Sequence, residues 1–68
     1  MADEGAHLAR ADGHIAGTKQ RIRMQEQLIE RLAAKGYPVE EAEDFLLALV
    51  GALKMLERHR LLILDRLG

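Results

Sequence analysis

In the first half of the chain, Leu8, Ile15, Ile22 and Ile29 recur at every seventh position. That spacing predicts an α-helix with one narrow buried seam. The interleaved seam positions, Ala11, Thr18, Gln25 and Leu32, are apolar only at the two ends. Arg10, Lys19, Arg21, Arg23, Glu26, Glu30 and Arg31 fill the remaining faces, so the first helix is amphipathic with a thin apolar face.

The second half carries the same alternating four and three spacing through Ala42, Leu46, Leu49, Leu53, Leu56, Arg60, Ile63 and Leu67, with one charged interruption. Outside this seam lie Phe45, Leu47, Val50, Met55, Leu61, Leu62 and Leu64. A helix resting on one partner buries a stripe only slightly over about 100° wide. The second helix therefore needs at least two partners. Phe45, Leu47, Val50, Leu61 and Leu64 are the expected oligomer interface.

Lys35, Gly36, Tyr37 and Pro38 stand between the halves. Glycine closes a helix in the left-handed conformation, and proline suits the first turn of the next one. Glu40, Glu41, Glu43 and Asp44 then fall at the positive end of the second helix, and Arg58, His59, Arg60 and Arg66 toward its negative end. The reading is an all-α, two-helix antiparallel hairpin, about 6–35 and 38–67, forming a single domain over 1–68 with 1–5 frayed. Facing residues have numbers summing to about 74, as a short connection requires. Leu32 then opposes Ala42, Ile29 opposes Phe45, Ile22 opposes Ala52 or Leu53, and Leu8 opposes Leu67. Arms of about 30 residues reach roughly 45 Å, and two hairpins face to face make a four-helix bundle. Gly13 and Gly17 each cost about 1 kcal/mol in a helix interior. Either the first turns fray, or Ala6, Ala9, Gly13 and Ala16 form a small-residue stripe that admits another helix, the preferred reading because Leu8 and Ile15 keep the seam in phase across it.

Length and composition sharpen the expectation of self-association. A chain of 68 residues has a single core supplying no more than about 3–5 kcal/mol. With no cysteine, disulfides and zinc-thiolate sites are excluded, and oligomerisation is the remaining supplement. The longest apolar run, Phe45 to Leu53, is far short of the roughly 20 residues that cross a bilayer. Because His7, Arg10 and Asp12 follow the first residues where a signal peptide would be apolar, a cytoplasmic address is expected.

Candidate chemistry is sparse. His7 and His14 are seven residues apart with His59 expected opposite, a spacing unlike the i, i+3 or i, i+4 pairs of helical metal sites. No metal or other cofactor is expected, and the histidines read as residues at the edge of the seam. Asp12 and Arg60 are placed to pair across the hairpin, while Thr18 and Gln25 are polar seam residues of the kind that set register. A net charge of -1 and an aromatic content of 3% argue against nucleic-acid coating and base stacking. Lys19, Arg23 and Arg31 are the basic residues a nucleic-acid reading would use. With no serine, no cysteine and no glycine-rich phosphate loop, an enzyme is not expected.

The segments His7-Leu8-Ala9-Arg10-Ala11-Asp12, His14-Ile15-Ala16, Leu28-Ile29-Glu30-Arg31-Leu32 and Met55-Leu56-Glu57-Arg58-His59-Arg60, with Gly36 and Ile63-Leu64, carry a resemblance. Over nearly its whole length the chain resembles a family of short helical-hairpin proteins of alpha-proteobacteria to which no activity is assigned. The resemblance implies a stand-alone bacterial protein. The functional expectation is a non-enzymatic module that pairs with itself. The alternatives are a nucleic-acid-binding regulator and a hetero-oligomer subunit docking another protein through the second helix.

Overall fold

The computed structural model describes residues 3–68. Two helices, α1 (Glu4–Ala34) and α2 (Glu40–Leu67), lie against each other, with no strand among the described residues. Met1 and Ala2, part of the segment expected to fray, lie outside the described residues. Helix α1 begins earlier than expected because Asp3 caps it: the Ala6 amide donates to Asp3 Oδ1 at 3.2 Å. A carboxylate there satisfies one of the amides that the first turn leaves unpaired.

Gly36 (φ 75°) is the only described residue with positive φ and ends α1. The Tyr37 amide donates to the Leu32 carbonyl at 2.9 Å and the Gly36 amide to the Ala33 carbonyl at 3.0 Å. These are the two bonds of a Schellman closure, which needs the left-handed residue between them. Pro38 does not enter α2, unlike the sequence expectation. It sits in the connection, and α2 begins two residues later behind Val39, which makes no side-chain capping bond. Glu40, Glu41 and Glu43 occupy the first turn of α2, where the helix dipole favours negative charge.

Helix α1 runs unbroken through Gly13 and Gly17. A Cβ added at either glycine would meet nothing within 4 Å. Within the hairpin, then, no neighbour uses the closeness these glycines permit.

The molecule is a rod 53 × 17 × 14 Å. Its core is one seam deep: Ala11, Ile15 and Ile63 are the buried hydrophobics, Thr18 is buried among them, and no described side chain is fully enclosed. The tightest burial lies toward the open end of the hairpin, where Ala11 and Ile63 line one groove together. Leu8, Ile22, Ile29, Leu32, Leu46, Leu49, Leu53 and Leu56 continue the seam half-buried. Leu67, the last residue of α2, is exposed. Ile29 and Phe45, expected at one level of the rod, line different grooves. Ile29 lines a groove with Leu46, while Phe45 lines another with Leu28. Residues at one level of an antiparallel pair meet flank to flank, so the number sum sets the level but not the side.

Candidate functional site

Among the described residues, two polar ties cross the seam. The Gln25 side-chain amide donates to the Ala42 carbonyl at 3.0 Å in a part-buried setting. Arg60 Nε donates to Asp12 Oδ1 at 2.5 Å, with both side chains substantially open to solvent. The first ties the hairpin near its turn and the second near its open end. Hydrogen bonds at seam positions discriminate between alignments more than they add net stability.

The grooves flanking the seam differ in charge. On one side, shallow depressions are lined by His7, Arg10, His14, His59 and Arg66, and farther along by Arg21 and Arg31, with no carboxylate in the lining. Glu4 stands at the far end of that side, 3.8 Å from His7. On the other side, Asp12, Glu26, Glu43, Asp44 and Glu57 line the depressions together with Lys19 and Arg60. The sequence does not announce this division, because it arises from which flank of each helix turns toward which flank of the other.

The basic residues singled out in the sequence are dispersed. Lys19 shares the mixed-charge groove with Asp12 and Glu57, whereas Arg31 lies on the carboxylate-free side with Met24 and Phe45. Arg23 is exposed and lines neither groove. His7, His14 and His59 do converge on one groove. Among the described residues no three or more His, Cys, Asp or Glu side chains are grouped so as to hold a metal ion.

The outer face of α2 is left uncovered by α1. Leu47 is 70% exposed, Met55 74% and Leu61 64%, and Leu62 and Phe45 are also open. Val50 and Leu64, by contrast, are half-buried. Leu47, Met55, Leu61 and Leu62 share the outward side of α2 with Lys54 and Arg58, whereas Phe45 opens on the other flank beside Leu28 and Arg31. Scattered surface leucines are ordinary, but a run of large apolar residues along one face marks an interaction surface. Met55 and Leu62 are more exposed than Val50 and Leu64. Only their angular position, one step farther from the seam, distinguishes them in the sequence.

No family model, curated protein or solved structure matches the chain. No described helix is long and apolar enough to cross a membrane. The class of molecule defined here is a two-helix antiparallel hairpin with one open apolar face.

Proposed function

We propose that this hairpin is a non-enzymatic interaction module that self-associates through the outer face of α2 and offers the polar surface of α1 to a protein partner. The observation that carries the reading is the exposure of Leu47, Met55, Leu61 and Leu62 along one helix. A seam-deep core leaves a small chain short of stability, and covering this face supplies more of it. Two hairpins joined there form a four-helix bundle. Sedimentation equilibrium at micromolar concentration tests it: a dimer is expected, and a compact, fully helical monomer would overturn it.

The carboxylate-free groove supports a second reading, a site for an anionic partner such as a nucleic-acid backbone. Arg10, Arg21, Arg31 and Arg66, with three histidines, are its contacts. Binding to RNA or duplex DNA should then weaken steeply as salt rises, since phosphate contacts release counterions. Absence of binding at low salt would remove this reading.

A further inference from the structure

Leu47, Val50, Lys54, Glu57, Leu61 and Leu64 follow one another along α2 at alternating intervals of three and four, beside the hairpin seam. This is a second heptad stripe on the same helix, parallel to the first. Its polarity is palindromic: two apolar residues, two charged, two apolar. Its charge is not, because the central pair is one cation and one anion.

We infer that this stripe pairs with the same stripe of a second copy, antiparallel, about a two-fold axis passing between Met55 and Leu56. The inference rests on the self-association proposed above and specifies its geometry. A two-fold axis makes a surface meet itself, so residues equidistant from the midpoint must suit each other. Leu47 meets Leu64 of the second copy, Val50 meets its Leu61, and Lys54 meets its Glu57. Each contact occurs twice. Every layer is apolar on apolar or cation on anion. These layers also follow the antiparallel coiled-coil rule, in which the two kinds of seam position face each other across the interface. A parallel pair would instead set Lys54 on Lys54 and Glu57 on Glu57, placing like charges at the centre of the contact.

Two further observations fit this axis. Neither Lys54 nor Glu57 has an ion-pair partner among the described residues, so both are available to a second chain. Both are exposed, as are the apolar Leu47 and Leu61 that flank them. The stripe from Leu47 to Leu64 is roughly 25 Å long at 1.5 Å per residue. Charges inside such a contact select orientation, because the wrong alignment leaves them facing their own kind.

Charge reversal and cross-linking test the pairing on the full chain. Lys54→Glu should weaken dimerisation about tenfold, since two attractions become two repulsions of modest size. The double variant Lys54→Glu with Glu57→Lys should restore it, because both members of each layer are exchanged; this rescue separates the effect from a folding defect. The chain has no cysteine, so introduced thiols report alone. A mixture of Leu47→Cys and Leu64→Cys chains should form a disulfide between unlike chains, with neither variant cross-linking to itself. A dimer in which Leu47→Cys joins to Leu47→Cys would overturn the antiparallel axis while leaving self-association intact. Failure of the double variant to recover would also overturn the axis. A wild-type chain that stays monomeric in sedimentation would remove both readings together.

Discussion

The side-chain amide of Gln25 and the main-chain carbonyl of Ala42, seventeen residues apart in sequence, are joined across the seam by a 3.0 Å hydrogen bond. The bond converts an awkward polar residue at an apolar position into a marker of alignment, because sliding one helix by a turn would leave the amide without that acceptor. Truncating it removes the tie and shortens a seam side chain. Gln25→Ala should therefore cost about 1 kcal/mol in urea unfolding of the hairpin. Gln25→Leu should cost less or stabilise, at the expense of uniqueness: amide resonances broadened by alternative registers are the expected signature. A sharp, single-register spectrum for Gln25→Leu would show that the bond does not set alignment.

Ile63 is 3% exposed and Leu67 is 50% exposed, one turn apart on the same face of α2. The transfer and cavity terms that make core truncation expensive apply to the first and hardly to the second. Ile63→Ala should lower stability by about 2–4 kcal/mol, enough to unfold much of a hairpin this small. Leu67→Ala should change it by less than about 1 kcal/mol. Thermal melts of the two variants side by side check the contrast, and equal losses would contradict the burial pattern.

Gly13 and Gly17 lie within a continuous helix with open space where a side chain would go. Each alanine replacement should stabilise by about 0.5–1 kcal/mol, through the lower backbone entropy of the unfolded chain. Circular dichroism melts would read this as a raised midpoint. A lowered midpoint, concentration dependent, would mean that another chain approaches α1 at the glycines.

Gly36 presents the opposite case. At φ 75° an added Cβ is strained whatever room surrounds it. Gly36→Ala should cost about 1–2 kcal/mol, the penalty of the left-handed conformation for an L residue. Gly36→Asn should recover part of this, since asparagine tolerates that region better. Equal stability of all three would show that the closure is not needed to reverse the chain.

For the Asp12 and Arg60 pair, both side chains face solvent substantially. A double-mutant cycle with Asp12→Asn and Arg60→Gln should give a coupling of no more than about 1 kcal/mol that fades in high salt. A large, salt-insensitive coupling would contradict an exposed pair.

Much of the architecture is written in residue spacing. Leu8, Ile15, Ile22 and Ile29, with their counterparts from Leu46 to Ile63, specify two helices and the face on which each is covered, because a helix converts sequence interval into angle. Gly36 marks the reversal, since few other residues accept its conformation. Less was legible at the turn itself. The Schellman bonds satisfy the end of α1 by themselves and leave Pro38 in the connection, while Val39 stands at the start of α2 without a capping side chain. Asp3, in turn, carries α1 to within a few residues of the N-terminus, where a sequence reading expects fraying.

Tertiary structure decided the rest. Periodicity places Phe45 and Ile29 at one level of the rod, but the groove that each lines, Phe45 with Leu28 and Ile29 with Leu46, depends on how two three-dimensional surfaces turn toward each other. The same rotation gathers His7, His14 and His59 into a groove without carboxylates, sends Lys19 to the opposite side beside Asp12, and separates it from Arg31. Val50 and Leu64 are half covered and Met55 and Leu62 bare for a similar reason: hydrophobicity is a property of the residue, whereas exposure is a property of its neighbours. The sequence by itself determined that α2 carries more apolar surface than one helix can cover. The fold determined which part of that surface stays open, because only the placement of α1 says what has already been buried.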